Sequence, residues 1–352
     1  MKDANLSFEC AFPTDNYPFI TLAHGAGGRL TQYLLDYIFR PAFSNPLLDQ
    51  QHDGAVITLP SHKIAMTTDS YVVHPLFYPG GNIGELAVTG TLNDLAMCGA
   101  DPLYITSGFI LNEGLPTTTL IQIVDAMRRT ALKNKVQIIA GDIKVVEQSS
   151  LGGLYINTTG IGVVPIDLTI APQHIQKGDA ILISGDIGRH GLAVLAERQQ
   201  FNFDPPILSD CAPLWPLVWR LLENNISLHC LRDLTRGGLA GALIELAKTT
   251  GLTFEIQEKD IPLSQQIYAA CELLGLDPLY VANEGRMVLF IPDENVNQAL
   301  AILHQFPEGK AATQIGIVSE QRSSIGEVIL KTYFGSERAL ALFSGEQLPR
   351  IC

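Results

Sequence analysis

The 352-residue sequence lacks any long hydrophobic run and is poor in positive charge. No uninterrupted apolar stretch approaches the roughly 18 to 20 residues that a membrane-spanning helix needs. The first residues, MKDANLSFECAFPTDNYPF, contain no apolar core of a secretory signal. Lysine and arginine number 23 against 36 aspartates and glutamates, which gives a formal net charge of −13. A field of this sign repels phosphate backbones and anionic lipid surfaces, so the composition disfavours nucleic-acid and membrane binding.

Cysteine is scarce, and none of the six cysteines forms a CxxC pair. Scattered cysteines in a long chain with no export signal are expected to be reduced thiols in the cytoplasm. One of them, Cys352, is the last residue of the sequence. A thiolate on a terminal tail can act as a nucleophile and carry an acyl-type group. On composition alone, an arbitrary final residue is the more common explanation.

The remaining composition favours a folded chain of about two domains. Hydrophobic residues make up 47% and charged residues 17%, which allows a sizeable core, and there is no low-complexity segment. Strand-like and helix-like segments interleave in both halves, which favours an α/β or α+β architecture. We expect an N-terminal lead-in over residues 1–50, an α/β domain over 51–165, a second α/β domain over 166–340, and a tail over 341–352.

Three aspartates lie among apolar or small residues, where a solvated surface acid is not expected. Asp69 follows KIAMTT, Asp142 follows VQIIAG, and Asp94 lies beside Asn93 in GTLND. Mg²⁺ prefers oxygen ligands, commonly one or two carboxylates together with substrate phosphates and water. The three acids could therefore hold Mg²⁺ on a triphosphate. The alternative is that Asp69 and Asp142 cap turns at strand ends with their side chains.

Two glycine-rich turns precede expected helices. They are HGAGG, which spans His24 to Gly28 and includes Gly27, and PGGN at residues 79–82. Backbone N–H groups at a helix N-terminus attract phosphate. Neither turn matches the GxxxxGK[ST] loop, and GxGxxG is not a clean fit. Ordinary turn glycines therefore remain the alternative.

Two further segments carry residues that can do chemistry. In RDLTRGGL, Arg232 and Arg236 flank an acid just before a helix, and arginine pairs well with phosphate or carboxylate. The alternative there is an internal Arg–Asp ion pair with Thr235 as the helix N-cap. Glu284, in ANEGR before the strand MVLFI, and Lys144, in GDIKV, could have shifted pKa values and serve as bases. A single glutamate before a strand is, however, more often a turn residue.

Taken together, these motifs make the sequence resemble the HypE family of hydrogenase maturation factors over nearly the whole chain from about residue 20. The series is HGAGG, TTDSYVVHPLFYPGGNIGELAVTGTLNDLAMCGADPLY, GDIKVVE, NTTGIGVV, RDLTRGGLA, ANEGR and a final PRIC. That family belongs to the superfamily of aminoimidazole ribonucleotide synthetase and selenophosphate synthetase. The resemblance implies a two-domain PurM-like α/β fold with a flexible C-terminal tail. It also implies a homodimer that pairs the N-terminal sheets, with ATP bound near that interface.

The resemblance implies a reaction as well. A partner enzyme, HypF, would place a carbamoyl group on Cys352, and ATP would drive its dehydration to a thiocyanate. The cyanide would pass to iron on a HypC–HypD complex for the [NiFe]-hydrogenase centre. Phosphoryl transfer depends mainly on positioning and charge neutralisation, which suits Mg²⁺ at the three aspartates. The other implied roles are proton removal by Glu284 and Lys144, and nucleotide or tail contacts by His24, Gly27, Gly28, Asn93 and Arg236.

One position departs from the family pattern, and two other functions stay open. Ile143 stands where members of the family usually have threonine, so a hydroxyl is lost beside Asp142. The first alternative function is another ATP-dependent enzyme of the superfamily that acts on a free small molecule, although such a substrate needs no terminal thiol. The second is a non-enzymatic carrier that only presents Cys352, against which the three aspartates argue.

Overall fold

The computed structural model describes residues 17–21, 24, 29–46, 63–147, 153–165, 167–320 and 325–342. Within these residues, helices and strands interleave along the whole chain. The helices are α1 (Arg29–Leu34), α2 (Arg40–Phe43), α3 (Ile83–Met97), α4 (Thr117–Lys133), α5 (Arg189–Gln199), α6 (Trp215–Glu223), α7 (Gly238–Thr250), α8 (Gln265–Leu274) and α9 (Val296–Leu303), with a π-helical turn (Leu35–Phe39) joining α1 to α2. The strands are β1 (Ile64–Tyr71), β2 (Phe77–Tyr78), β3 (Gly81–Asn82), β4 (Asp101–Asn112), β5 (Gln137–Val146), β6 (Leu154–Val163), β7 (Ala180–Ile183), β8 (Cys230–Asp233), β9 (Thr253–Gln257), β10 (Met287–Ile291), β11 (Thr313–Ser319), β12 (Glu327–Lys331) and β13 (Glu337–Ala339).

The first half is built on a four-stranded sheet with the order β1-β6-β4-β5. Only β4 and β5 are parallel, and α4 lies between them in the chain as the crossover that a parallel pair requires. Helices α3 and α4 pack against each other and cover one face of this sheet. That face is buried and forms the first hydrophobic core.

The other face of this sheet carries no helix in the described part of the chain, and we call it the open face. Apolar side chains stand exposed on three of its strands. They belong to Ile64 and Met66 on β1, Ile110 on β4, and Val146 on β5. Met66, the most exposed of them, keeps 63% of its surface accessible. A row of exposed apolar side chains on a sheet face is typical of a surface that pairs with another protein surface.

Close packing of α3 explains the two glycines within it. A Cβ at Gly84 would lie 2.4 Å from the carbonyl oxygen of Ile123 on α4, and a Cβ at Gly90 would lie 2.4 Å from the hydroxyl of Tyr71 on β1. Asn82 caps the helix by accepting hydrogen bonds from two backbone N–H groups of its first turn, those of Gly84 and Glu85. The glycines therefore let α3 approach both α4 and the sheet.

The second half is built on a seven-stranded sheet with the order β13-β12-β9-β11-β7-β10-β8. All neighbours are antiparallel except β9 and β12. The internal strands β7 and β10 are buried on both faces, as their unbroken apolar sequences AILI and MVLFI indicate. Helix α7 packs on one face, and α6 and α9 pack on the other.

Helix α3 belongs to both halves of the molecule. Thirteen of its fifteen residues are buried, and its last turn places Ala96 and Met97 in the core formed by α6, α9 and the second sheet. The two sheets therefore meet around one shared helix. No helix among the described residues is long and apolar enough to cross a membrane.

Candidate active site

A cavity of about 320 Å³ lies where the two halves meet. It wraps around the edge of β1 that pairs with no strand among the described residues, because side chains from both faces of that strand line it. The first half contributes residues 68–71, Gly90, Asp94 and Asn157, and the second half contributes Asp233, Thr235, Arg236 and Glu284. Three aspartates, one glutamate and one arginine thus converge on one space from four separate segments of the sequence.

Asp94 is fixed at the wall of this cavity by a side chain of β1. The hydroxyl of Thr67 donates a hydrogen bond of 2.7 Å to Asp94 Oδ2. Burial raises the pKa of Asp94, the bond from Thr67 opposes that rise, and the charge of Asp69 adds to it. The ionised form of Asp94 therefore lacks full compensation, and a cation in the cavity would stabilise it.

Asp233 is a site residue that the sequence analysis did not single out. It ends β8, where it pairs with Met287 of β10. Burial, reinforced by the charge of Asp94, raises the pKa of Asp233 to about 7. The sequence analysis offered only the alternative of an internal Arg–Asp ion pair, with Thr235 as the N-cap of the helix that follows. That alternative is wrong about the cap, because α7 begins at Gly238 and its N-cap is Gly237, with φ at 80°.

Glu284 reaches the cavity from the loop that precedes β10. Only 5% of its surface is exposed. Its backbone N–H donates to Asp210 Oδ1 over 3.3 Å, and its carbonyl oxygen accepts from Asn93 Nδ2 over 3.2 Å. Glu284 therefore lines the cavity, and hydrogen bonds to its backbone groups hold it there.

Asn93 does not line the cavity, although it precedes Asp94 in the chain. Its side chain is 1% exposed and is engaged with backbone groups of the second half. Nδ2 donates to the carbonyl oxygens of Ala212 and Glu284, and Oδ1 accepts from the N–H of Leu214. The amide thus ties α3 to the second half of the molecule.

Asp69 and Asp142 lie inside strands, so the expectation that they follow strand ends is wrong. Strand β1 continues to Tyr71, and β5 continues through Asp142 to Val146. Pairing with β4 keeps β5 extended, since Gly141 and Asp142 stand opposite Ser107 and Gly108. Neither aspartate is therefore a turn cap.

The two aspartates do not come together within one chain. Asp69 lies on the face of the sheet that carries α3, because Thr67 and Tyr71 on either side of it bond residues of that helix. Asp142 lies on the open face and on β5, three strands away from β1, or about 14 Å at the usual strand spacing. Of the three predicted metal-binding aspartates, the chain brings together only Asp69 and Asp94.

Lys144 lies beside Asp142 on the open face. Its Nζ is 2.6 Å from Asp142 Oδ2, and both side chains are more than half exposed. The hydrogen bond from Lys144 lowers the pKa of Asp142. Ile143 points the other way, into the first hydrophobic core. The departure from the family pattern at this position therefore does not face the same side as Asp142 and Lys144.

The remaining predicted residues have three different outcomes. Arg236 lines the cavity. His24 is buried away from it, where its Nδ1 accepts a hydrogen bond from the N–H of Thr21 and burial lowers its pKa. Gly27, Gly28 and Cys352 lie outside the described residues, as does the tail from residue 343 onward.

The donor set of the cavity suits Mg²⁺ that arrives with a nucleotide. Within the part of the chain that the structure describes, no three histidine, cysteine, aspartate or glutamate side chains form a ready metal site. Mg²⁺ does not need such a cage, because it commonly binds one or two carboxylates, several waters and the phosphates of its substrate. The side chains of Asp69, Asp94 and Asp233 offer carboxylate oxygens as ligands. Burial raises the pKa of Asp94 and Asp233, so a cation beside them would stabilise their ionised forms.

Two family models cover most of the chain. The AIR synthase related protein N-terminal domain matches residues 51–164, and the AIR synthase related protein C-terminal domain matches residues 176–329. The fold and the cavity between its halves thus define a protein of the AIR synthase related class. The predicted two-domain α/β architecture is confirmed.

Closer relatives narrow the class to one family. The carbamoyl dehydratase HypE of Cupriavidus necator is 46% identical over 334 residues, which are 95% of each chain. A crystal structure of HypE in complex with ATP superimposes with a TM-score of 0.91 at 42% identity, over 94% of this chain and 99% of that one. A structure of a HypE–HypF complex matches with a TM-score of 0.76 at 41% identity, over 88% of this chain and 99% of that one. The chain belongs to the HypE family, which confirms the resemblance seen in its motifs.

Proposed function

We propose that this protein is an ATP-dependent carbamoyl dehydratase that converts a carbamoyl group on the thiol of Cys352 into a thiocyanate. The observation that carries the proposal is the cavity in which Asp69, Asp94, Asp233 and Glu284 converge. A related HypE binds ATP, and relatives are named carbamoyl dehydratases, which supports the same chemistry here. The product cyanide would serve the iron of a [NiFe]-hydrogenase centre.

The three aspartates of the cavity, Asp69, Asp94 and Asp233, would bind the phosphates of ATP through Mg²⁺. A protein of net charge −13 can hold a tetra-anionic nucleotide only where positive charge screens it. Bound Mg²⁺ supplies that charge and neutralises the phosphates during transfer. Asp69, Asp94 and Asp233 would hold the ion, and Arg236 on the same wall would pair with a phosphate oxygen.

The reaction removes one oxygen and two protons from the carbamoyl group. The amide oxygen attacks the γ-phosphorus of ATP, and ADP leaves. The phosphorylated oxygen then departs as phosphate while the nitrogen loses both protons, which leaves the C≡N group on sulfur. In sum, the thiocarbamate and ATP give the thiocyanate, ADP, phosphate and one proton. Glu284 lies in the cavity and would accept a proton from the nitrogen, provided that it comes within hydrogen-bond reach of about 2.6–3.2 Å.

A second copy of the chain would complete the site. We propose that the open face pairs with its counterpart in a homodimer, because its apolar side chains are otherwise left in water. Asp142 and Lys144 stand on that face, and so do Ser70 and Asn157, which line the cavity of the same chain. Pairing of open faces would therefore carry one copy's Asp142 and Lys144 towards the partner's cavity.

Three partners belong to the proposal. HypF would load the carbamoyl group onto Cys352, which the structure of a related HypE–HypF complex supports. A HypC–HypD complex would accept the cyanide. The net charge of −13 disfavours nucleic acid as a partner.

Intact mass spectrometry tests the reaction directly. The protein is incubated with HypF, carbamoyl phosphate and ATP, and we expect a carbamoyl adduct that then loses the mass of one water. Glu284→Gln keeps the shape of the side chain but cannot accept the proton, so we expect this variant to accumulate the carbamoyl adduct and still bind ATP. A wild-type adduct that never loses water would contradict the proposed activity, and normal water loss by Glu284→Gln would contradict the role of Glu284.

A further inference from the structure

The loop that carries Glu284 is held by a buried carboxylate that does not itself line the cavity. Asp210 lies in the connection between α5 and α6, and its side chain is fully buried. Its Oδ1 accepts from the N–H of Glu284 over 3.3 Å, and its Oδ2 accepts from the N–H of Gly285 over 3.2 Å. One carboxylate thus holds two consecutive backbone amides, one through each oxygen. This arrangement holds the two peptide groups that flank the Cα of Glu284, those of residues 283–284 and 284–285.

The carbonyl side of Glu284 is held from the other half of the molecule. Asn93 on α3 donates to the carbonyl oxygen of Glu284 over 3.2 Å, and the N–H of Ala212 approaches the same oxygen to 3.4 Å. The other hydrogen of the Asn93 amide goes to the carbonyl oxygen of Ala212, and its oxygen accepts from the N–H of Leu214 over 2.8 Å. Asn93 therefore locks the Glu284 loop and the 212–214 segment together.

The neighbours of Glu284 leave little room for adjustment. A Cβ at position 285 would lie 1.9 Å from the carbonyl oxygen of Asp210, so only glycine allows this close approach. Arg286 donates to the carbonyl oxygen and to a carboxylate oxygen of Asp186, each over 2.8 Å. Burial raises the pKa of Asp210, and the charge of Arg286, whose Nε lies 3.9 Å from Asp210 Oδ2, opposes that rise.

We propose that Asp210 and Asn93 are positioning residues, which fix the backbone of Glu284 from both of its polar groups and so aim its carboxylate into the cavity. The inference rests on the proposed function, because it matters only if Glu284 takes part in the reaction. It assigns Asn93 a role different from the nucleotide contact that the family resemblance implies. Neither Asp210 nor Asn93 lines the cavity, whereas Glu284 does.

The test separates positioning from nucleotide binding. Carbamoylated protein is mixed with ATP, and the rate of water loss is followed by intact mass over a range of ATP concentrations. We expect Asp210→Asn and Asn93→Ser each to lower the rate at saturating ATP by about 10- to 100-fold, since displacement of a reacting group by about 1 Å has an effect of this size. The ATP concentration that gives half the maximal rate should change by less than about twofold, because the nucleotide site is untouched.

A matched control shows whether the loss of a buried carboxylate elsewhere in the protein also lowers the rate of water loss. Asp179 is 2% exposed, accepts from a backbone N–H and pairs with His229, but it does not line the cavity. Asp179→Asn makes the same chemical change and should leave the rate of water loss unaltered in the protein that remains folded. Should Asp210→Asn fail to fold, Asn93→Ser carries the test alone.

The outcomes distinguish this inference from the proposed function. In the Glu284→Gln background, Asp210→Asn should lower the residual rate by no more than about twofold, because the group that it positions has already been lost. An inactive Glu284→Gln together with normal rates in Asp210→Asn and Asn93→Ser would overturn the positioning role alone. A normal Glu284→Gln would overturn the role of Glu284 itself. If Asn93→Ser needed more ATP to reach half the maximal rate but kept that maximal rate, Asn93 would be a nucleotide contact rather than a positioning residue.

Discussion

The hydroxyl of Thr67 lies 2.7 Å from Asp94 Oδ2 and joins the edge strand β1 to helix α3 at the wall of the cavity. The contact holds one carboxylate oxygen in a fixed direction while the charge of Asp69 stands nearby. Two acids are thus kept close on elements that pack tightly, which is a high-energy arrangement unless a cation is present.

The first prediction concerns nucleotide affinity. Asp94→Asn removes a proposed Mg²⁺ ligand, and Asp142→Asn removes a carboxylate that the proposed homodimer would bring towards the partner's cavity. We therefore expect each variant to weaken Mg²⁺-dependent ATP binding by at least about 10-fold, or about 1.4 kcal/mol. Isothermal titration calorimetry with and without Mg²⁺ measures the effect. Asp293 is an exposed acid in the turn that precedes α9, so Asp293→Asn makes the same change in net charge and should keep the wild-type affinity. Affinity close to that of the wild type in both test variants would refute the metal-site assignment.

The second prediction concerns the terminal thiol, which lies outside the described residues. The last described segment is tied close to the Glu284 loop, since the hydroxyl of Tyr280 donates to the carbonyl oxygen of Ala341 over 2.8 Å. The ten residues that follow position 342 can span about 35 Å when extended. Cys352→Ala removes the thiol that would carry the carbamoyl group, so it should abolish water loss while ATP binding is retained. A few residues added after Cys352 should block the reaction as well. Dehydration at the normal rate by the extended chain would show that the site does not require a chain end.

The third prediction concerns assembly. Met66→Glu places a charge on the open face and should convert a homodimer into a monomer, because an unpaired carboxylate buried between two sheets costs several kcal/mol. Light scattering at micromolar concentration measures the molar mass. Leu132 on α4 is also exposed, to 58%, but lies outside the open face, so Leu132→Glu should remain dimeric. A wild-type protein that is monomeric would exclude the pairing altogether.

The fourth prediction concerns stability at a helix crossing. Alanine is the better helix former by about 1 kcal/mol, yet Gly84→Ala would force a Cβ to within 2.4 Å of a backbone oxygen on α4. We expect a net loss of about 1–3 kcal/mol in the free energy of unfolding in urea, as overpacking produces. Gly241 on α7 has only ordinary contact distance at its Cβ position, 3.6 Å, so Gly241→Ala should be neutral or stabilising. Equal effects of the two substitutions would argue against close packing at Gly84.

The fifth prediction concerns pH. His190 is fully buried, which lowers its pKa to about 3, whereas the unfolded chain has a histidine pKa of about 6.5. Between these values the unfolded state binds a proton that the folded state excludes, so the free energy of unfolding falls as the pH drops below 6.5. From pH 7 to pH 5 the wild type should lose about 2 kcal/mol more than His190→Gln in urea titrations. Parallel pH profiles would mean that the ring takes up a proton in the folded state.

Sequence patterns predicted most of the first half because its elements are long. The sequence reads as strands in the segments that became β1, β4 and β6 and as helices in those that became α3 and α4, and the structure has them with small shifts of their ends. Strand β5 was expected to end before Asp142, since glycine and aspartate disfavour strands. Pairing with β4 outweighs that preference.

The second half was harder to predict for two physical reasons. Strands β8, β9, β12 and β13 have only three to five residues each, too few to show a period, and their order in the sheet depends on contacts between distant segments. Asp233 was missed as a site residue for the same reason, because the strand that it ends was not recognised. The roles of Asn93 and Asp210 were hidden because both act through backbone groups, which leave no pattern in a single sequence.

The sharing of α3 between the two cores limits where this chain can be divided and recombined with its relatives. The chain boundary near residue 165 looks like a natural place to exchange halves between relatives. A cut there, however, separates Ala96, Met97 and Asn93 from the segments of the second half that enclose them. An exchanged half would meet a helix shaped for another partner, so a working chimera needs the residues around α3 to travel with it. Although separate family models match the two halves, we expect an exchange between relatives to succeed only when the contacts around α3 are transferred together.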